Sequence, residues 1–411
     1  MSSLKTAAIR IGITPGAILV PLLCGLGTPA LAEGGTELTF NLGVRLSRDS
    51  NPDLTPVSSG QRTSAGLDLS FGLTSATALS TLTLQGAAGL LTGNGSGPIA
   101  SGLTDPSLTL AYARTGANSQ FTVDGALRQA DVSGGDVTNF QTGTGLRRTA
   151  DLSSGLSFGT GGPLGFGLNA GITAIRYSGT TDPDLIDSRT VRLGADLRAD
   201  LSPVLRASLG LQESRFRQDG QAARDTLGLS AGLTLDRPNG ALSLRFAAED
   251  TPDGQRLGLT FEHRMDLSSG TLTYSLGATQ GVTDKTYLTG AVSYVQDLPN
   301  GAMNIGLSRA VAAGAETNSE TVLSRATVSY SKAITPRANL ALALDWAKQR
   351  DTATDLSTAN TSLSATWTQD VTQDWALVLG YSRRLRDQDG VGTGQSNQVF
   401  ITFRRAFSLR F

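Results

Sequence analysis

The chain has 411 residues, of which 39% are hydrophobic and 17% charged, and its formal net charge at pH 7 is −1. Basic and acidic residues are nearly balanced, which argues against a nucleic-acid partner because such partners require a basic patch or stripe. The single cysteine, Cys24, excludes disulfide bonds and thiolate metal sites within one chain.

The first residues have the composition of an export signal. Lys5 and Arg10 are followed by an apolar stretch over 11–26, and an alanine-leucine-alanine cleavage pattern comes next. This stretch contains two prolines and is too short to cross a bilayer, which requires about 20 apolar residues. The sequence therefore predicts a signal peptide over residues 1–32 and a mature domain over 33–411.

Apolar and polar residues alternate in short segments through the rest of the chain. A period of two indicates β-strands, and 18 consecutive apolar residues, the mark of a membrane-spanning helix, occur nowhere in the mature domain. We predict about twenty strands, with eighteen as the alternative count. The segments are 38–48, 63–73, 79–91, 105–114, 119–130, 148–159, 163–177, 188–200, 204–216, 223–236, 241–249, 255–266, 271–280, 286–297, 302–311, 320–333, 338–350, 359–370, 374–386 and 397–411.

The predicted connections differ in length in a regular way. Tight turns at 236–240, 266–270 and 297–301, rich in Asp, Asn, Pro and Gly, alternate with longer polar loops. Outer-membrane barrels have short periplasmic turns and longer extracellular loops. The chain is therefore predicted to be all-β, a transmembrane antiparallel up-and-down β-barrel in the outer membrane. An even number of strands would place both termini in the periplasm.

Within each strand one set of alternate residues, here called one parity, is apolar, and the residues of the other parity are small or charged. Leu227, Leu229 and Leu233 alternate with Gly228 and Ser230 in the tenth segment. Hydrocarbon offers backbone amides no water, so a sheet with this pattern must close on itself in a membrane. A soluble solenoid or sandwich would also alternate. The absence of a fixed repeat and the number of long strands favour the barrel.

The last strand ends on an aromatic residue, Phe411. Alternating apolar residues that end in this way resemble the C-terminal signal read by the barrel assembly machinery, and Phe407, Leu409 and Phe411 match it, although Arg405 interrupts the apolar parity. The resemblance implies that the barrel assembly machinery is a partner during biogenesis, and the apolar parity of the strands predicts outer-membrane lipid as a partner afterwards.

Arginines predominate on the parity predicted to face the lumen. A wall of like charge selects solutes of opposite charge, so we expect hydrophilic and preferentially anionic solutes. The alternative is that these side chains pair with acidic neighbours and only solvate the wall. The candidates for lumen lining are Arg45, Arg192, Arg198, Arg206, Arg245, Arg256, Arg384 and Arg404.

The end of the first strand, residues 43–52, resembles the β-barrel porin-2 family, in which an aspartate-asparagine pair follows the first strand of a barrel of this size. Asp49 and Asn51 match that pair, and Pro52 follows. The resemblance implies an outer-membrane channel and, for some members, an association with exopolysaccharide export. The same residues are also those of an ordinary polar turn, and a calcium site would need more oxygen ligands.

These features predict a channel rather than an enzyme. His263 is the only histidine, and no nucleophile or metal-ligand cluster accompanies it, so no catalytic site or cofactor is predicted. Because few residues precede the first strand, we expect no N-terminal plug. The loops expected to fold inward are 49–62, 92–104 and 131–147. The alternative function is a structural or surface-interaction barrel with a blocked lumen.

Overall fold

The computed structural model describes residues 35–95, 101–134, 136–180, 182–313 and 319–411, which form one sheet of twenty strands. No helix in these ranges is long and apolar enough to cross a membrane. The first ten strands are β1 (Thr36–Asp49), β2 (Arg62–Ala76), β3 (Ser80–Gly95), β4 (Ser101–Thr115), β5 (Ser119–Asp131), β6 (Leu146–Phe158), β7 (Leu164–Ser178), β8 (Ser188–Asp200), β9 (Leu205–Gln218) and β10 (Arg224–Arg237). The others are β11 (Gly240–Thr251), β12 (Gly254–Leu267), β13 (Gly270–Gln280), β14 (Thr286–Leu298), β15 (Gly301–Ala313), β16 (Glu320–Thr335), β17 (Ala338–Asp351), β18 (Ser357–Asp370), β19 (Trp375–Gln388) and β20 (Gly392–Arg410).

The sheet closes on itself. Every strand pairs antiparallel with the next along the chain, and β20 pairs with β1. Backbone hydrogen bonds join Thr36 and Phe411 in both directions, with N–O distances of 3.3 and 2.9 Å. None of the twenty described strands is left with an unpaired edge, which is the condition for backbone to lie in hydrocarbon. The predicted twenty-stranded antiparallel barrel is confirmed. The predicted signal peptide lies outside the described residues.

The two faces of the wall have different compositions. Leu227, Leu229 and Leu233 of β10 point outward and expose 47%, 56% and 48% of their surfaces, while Gly228 and Ser230 alternate with them on the inner face. The same outward apolar parity recurs in all the other strands around the ring, so the barrel carries a continuous apolar exterior. Such a surface is far larger than the apolar patches of soluble proteins and is suited to lipid contact.

The two ends of the barrel also differ. At one end, which is termed the turn end, the connections between strands contain two to five residues. Thr36 and Phe411 also lie at this end. At the other, the loop end, the longest described connections are 50–61, 132–145 and 179–187. At the turn end Gly240 has φ +136°, and an added Cβ would overlap the Arg264 carbonyl. The predicted tight turn therefore requires glycine at that position.

The predicted bounds of the loop 92–104 are wrong. Residues 92–95 continue β3, and 101–104 begin β4, so only 96–100 separate the two strands, and these lie outside the described residues. The register shifts between Ala87 and Gly89, where Asp105 and Pro106 of β4 lie against the single residue Ala88, so β4 contributes one extra residue. This bulge breaks the alternation that marks a strand, and Asp105 has φ +45°. The sequence pattern is therefore interrupted although the ladder continues.

Candidate functional site in the lumen

The connection between β5 and β6, residues 132–145, folds into the lumen and is here termed the constriction loop. Asn360 Nδ2 of β18 donates to the carbonyl oxygens of Val137 and Asn139, both at 2.8 Å. From β5 the shorter way around the ring to β18 passes β4, β3, β2, β1, β20 and β19. The loop thus reaches a distant part of the wall, and the prediction that residues 131–147 fold inward is confirmed.

Arg386 of β19 provides the second anchor of the constriction loop. Its Nε donates to Asn360 Oδ1 at 3.0 Å, and its Nη2 lies 3.3 Å from the Asn139 carbonyl and 3.5 Å from that of Ser133. The Arg386 side chain is 6% exposed and Asn360 is 5% exposed. Removing a partner from a buried polar group costs about 1–3 kcal/mol. The anchors therefore hold the loop in one position.

The constriction loop is also tied together internally. Asn139 Nδ2 donates to the carbonyls of Val132 and Gly134 at 2.8 and 2.6 Å. Val132 is completely buried. The loop is therefore an ordered element that narrows the lumen from within.

A recess beside the constriction loop carries charges of both signs and is here termed the charged niche. It lies against β1 to β5, β19 and β20, with Ser133 and Gly134 of the loop on one side. Its charged side chains are Arg45, Arg62, Arg384, Asp49, Asp68, Asp105 and Asp131. Charges of both signs therefore line one recess beside the constriction loop.

Two arginines of the niche are held by specific contacts. Arg384 Nη2 donates to Asp49 Oδ2 at 2.8 Å, and Asp49, only 2% exposed, also accepts a hydrogen bond from Ser396. The Arg45 guanidinium lies 4.4 Å from the centroid of Phe400, a cation–π contact. Phe400 lies directly over Gly380, where an added Cβ would overlap the ring.

All eight candidate lumen arginines lie on the inner face, but they do not form one site. Arg45 and Arg384 line the niche, and Arg404 lines an adjoining recess with Arg45. Arg245 and Arg404 form no hydrogen bond or ion pair with any residue that the structure describes. The other contacts are Arg192 with Thr173, Arg198 with the Gly159 and Gly162 carbonyls and Asp200, Arg206 with Asp200 and Asp236, and Arg256 with Glu249.

Several residues of the site were not singled out from sequence. Arg62 begins β2, and Asp131 ends β5. At a strand end the alternation does not show which face of the sheet a residue lies on. Asp105 lies in the bulge of β4. Arg386 has the same parity as Arg384, and its contacts with the loop join residues more than two hundred positions apart. No local pattern in the sequence carries that information.

The residues that resemble the porin-2 family close the first loop. The backbone N of Asn51 donates to Asp49 Oδ1 at 3.0 Å, and Asn51 Nδ2 donates to the carbonyls of Thr55 and Gln395 at 2.8 and 3.0 Å. Asn51 is 3% exposed. These contacts fix the loop 50–61 to β20, which gives the pair a structural role.

The neighbouring connection between β19 and β20 is held by an aspartate. Asp389 accepts hydrogen bonds from the hydroxyl of Ser357 at 2.8 Å and from its backbone N at 2.9 Å. These bonds, the hydroxyl first, lower the pKa of Asp389 below its usual value. These contacts therefore join β18 to the connection between β19 and β20 at the loop end.

The proposed assembly-signal residues lie at the seam. Phe407 and Leu409 of β20 face outward opposite Phe40 and Leu38 of β1, and Phe411 is 73% exposed. Arg405, which interrupts the apolar parity, lies 4.6 Å from the Phe407 ring centroid and 5.4 Å from that of Trp375. These cation–π contacts account for an arginine on the outer face at this position.

His263 lies on the outer face of β12 and contacts Tyr274. Its Nδ1 is 3.0 Å from the Tyr274 hydroxyl, and the two rings meet edge to face with centroids 5.4 Å apart. Within the ranges that the structure covers, no group of three or more metal-ligating side chains occurs.

Comparisons with known proteins bear on the fold. No protein-family profile and no curated protein matches the chain. The ferric enterobactin receptor PfeA of Pseudomonas aeruginosa, in a mutant form with enterobactin, aligns at TM-score 0.50 and 10% identity over 90% of this chain and 81% of that one. OccAB4 of Acinetobacter baumannii aligns at TM-score 0.38 and 12% identity over 90% of this chain and 98% of that one. The PfeA likeness concerns the fold, which is that of bacterial outer-membrane barrels.

Proposed function

We propose that the chain forms a channel for hydrophilic solutes in the outer membrane, with the constriction loop at its narrowest point. The observation that carries the proposal is the anchoring of this loop by Asn360 and Arg386 beside a polar, charged niche. Solutes would diffuse down their gradients, and loop position and wall charge would set selectivity.

The size of the barrel supports an aqueous lumen. Barrels of 16 to 18 strands already enclose a water-filled channel, and this one has twenty. The inner face is polar and the loop is only residues 132–145. A polysaccharide chain as cargo rests on the resemblance of residues 43–52 alone, so the proposal is limited to hydrophilic solutes. His263, paired with Tyr274 on the outer face, is given no catalytic role.

Single-channel recording tests this function. The purified protein reconstituted in planar bilayers should produce discrete current steps of reproducible size, since the lumen would conduct ions past the charged niche. Absence of steps at all voltages, with the barrel shown to be folded, would reject the channel. It would favour the alternative, a structural or surface-interaction barrel whose lumen is blocked.

The charges beside the loop should determine ion preference. We expect Arg45→Gln combined with Arg404→Gln to lower the anion-to-cation permeability ratio. Two unit charges about 8 Å from a passing ion contribute roughly 1 kcal/mol in water, reduced to about half by 0.1 M salt, which corresponds to about twofold. The measurement is the reversal potential in a KCl gradient.

The control for ion preference is Arg198→Gln. Arg198 lies at the turn end and donates to the Gly159 and Gly162 carbonyls at 3.0 and 2.9 Å. This variant should leave the reversal potential close to that of the wild type, whereas Asp68→Asn should shift it toward anions. An unchanged potential in the Arg45/Arg404 double variant would reject selection by these two charges.

A further inference from the structure

Five arginines cluster on the outside of the barrel near the loop end, on the consecutive strands β6, β7, β8 and β9. Each has the parity of the outward leucines of its own strand; Arg189, for example, shares that of Leu193, which is 52% exposed. All five are exposed. The cluster, here the outer basic patch, consists of Arg148, Arg176, Arg189, Arg215 and Arg217.

The register of the sheet places these like charges against each other. Arg148 lies directly opposite Arg176 across β6 and β7, and Arg189 lies directly opposite Arg217 across β8 and β9. Like charges in directly opposed positions destabilise a sheet. Folding of the barrel gives no reason for two such pairs side by side, whereas an anionic ligand would offset their repulsion.

The protein neutralises only part of the patch. Arg215 forms a two-bond pair with Asp225 of β10, with N–O distances of 2.7 and 2.7 Å, and Arg148 donates to the neutral Gln129 at 2.7 Å. The other three arginines form no hydrogen bond or ion pair with residues in the described ranges. Among the residues that the structure describes, Glu213 is the single acidic one lining the shallow depression between Arg189 and Arg217.

An apolar groove lies on the same outer face, next to the patch toward the turn end. Small side chains, Ser154, Ala170 and Ala195, form its floor. Larger apolar side chains form its sides: Phe121, Leu156, Leu168, Leu193, Leu211 and Leu227. Leu193 and Glu213 line both the groove and the depression beneath the arginines, so the two features are continuous.

We propose that the outer basic patch and the groove together bind one phosphorylated lipid of the outer leaflet. The arginines would hold its phosphates, since guanidinium groups bind phosphate through paired, charge-assisted hydrogen bonds. An acyl chain would lie in the groove. The charge sits where the apolar exterior ends and the loop end begins, which is the level of lipid headgroups. A soluble anion would use the arginines but not the groove.

Other outward arginines near the loop end lack this arrangement. Arg48 of β1 donates to Gln61, and Arg383 of β19 donates to Gln395. Neither lies opposite another cation in the sheet. They provide a matched control, because replacing them also removes exposed positive charge from the outer face.

The test is lipid retention by the full-length folded barrel in detergent, measured by native mass spectrometry after incubation with lipopolysaccharide. The triple variant Arg176→Gln/Arg189→Gln/Arg217→Gln should lose at least tenfold in retained lipid, and the control Arg48→Gln/Arg383→Gln should retain wild-type amounts. Enzymatically dephosphorylated lipopolysaccharide should bind the wild type as weakly as intact lipid binds the triple variant. Equal retention by wild-type and triple-variant barrels would overturn the proposal.

A second variant separates a lipid from a free phosphate. Ala195→Phe fills the groove without touching the arginines and should lower lipid retention. Inorganic pyrophosphate in excess should not displace the lipid from the wild-type protein. Full displacement, or unaltered retention by Ala195→Phe, would show that the groove binds no acyl chain and would reject the lipid site.

The inference rests on the membrane placement in the proposed function but not on conduction. The triple variant leaves the lumen unchanged and should conduct like the wild type. Loss of lipid with normal conductance supports both proposals, whereas retained lipid in a barrel that never conducts would reject only the channel.

Discussion

Releasing the constriction loop from the far wall is expected to raise single-channel conductance about twofold or more, because the narrowest section of a pore sets its resistance. The variant is Asn360→Ala with Arg386→Ala. It removes every side-chain hydrogen bond from β18 and β19 to the Val137, Asn139 and Ser133 carbonyls.

The energetic reason is the loss of buried hydrogen bonds. Each buried partner left unsatisfied costs about 1–3 kcal/mol, and two anchors are lost together. The loop would then exchange its fixed position for a set of mobile ones, so we also expect greater noise in the open-channel current. Single-channel recording at fixed voltage measures both quantities.

The matched control is Ser362→Ala with Ser364→Ala. These residues lie on the same inner face of β18 as Asn360, opposite Arg384 and Ser382 of β19. Their replacement should leave conductance unchanged. If the anchor variant, shown to be folded, conducted like the wild type with the same noise, the loop would not be the narrowest point.

An arginine placed on the lipid-facing side of β10 is expected to be severely destabilising. Leu229 is 56% exposed and lies near the middle of β10. A charge at the middle of a bilayer on the outer face of a barrel costs about 2–4 kcal/mol. Leu229→Arg should lower the free energy of unfolding in phospholipid vesicles by that amount, measured by denaturant titration.

The neighbouring residue supplies the control. Ser230 has the opposite parity and faces the lumen, where water can solvate an added guanidinium. Ser230→Arg should therefore cost much less than Leu229→Arg. Equal losses in the two variants would mean that the two faces of β10 do not meet different solvents, which contradicts a membrane barrel.

The number of strands, their closure and the outward parity could be read from the sequence because each strand repeats one local signal. A period of two marks both the strand and its lipid face, as in Leu227 and Leu229. The bulge at Asp105 and Pro106 shows the limit of this signal. One extra residue changes the parity, so a continuing ladder looks like a loop.

The path of the constriction loop could not be derived in the same way. The sequence predicts that residues 131–147 fold inward, but their position depends on Asn360 and Arg386, which lie far along the chain. The outer basic patch likewise depends on the pairing between strands and not on a local sequence pattern. Parity alone places Arg189 and Arg217 outside, and only the register of β8 and β9 shows that they face each other.

The lumen arginines illustrate a further gap between sequence and site. Their inner parity follows from alternation, but their effect on solutes depends on which charges are already compensated. Arg206 and Arg256 lie beside carboxylates, whereas Arg45 rests on an aromatic ring and keeps its charge open to the niche. The anion preference predicted from the sequence therefore depends on a few positions and not on the arginine count.

The central claim is a closed barrel that is wet inside and constricted beside the charged niche. The most direct test of this claim is chemical modification of cysteines introduced at two adjacent positions, one in each of two variants. Thr104→Cys lines the niche, and Leu103→Cys, on the opposite parity, faces outward with 50% of its surface exposed. During single-channel recording, a charged water-soluble methanethiosulfonate reagent should reduce the current through Thr104→Cys and leave Leu103→Cys unaffected. A current that responds at Leu103→Cys, or at neither position, would contradict the account.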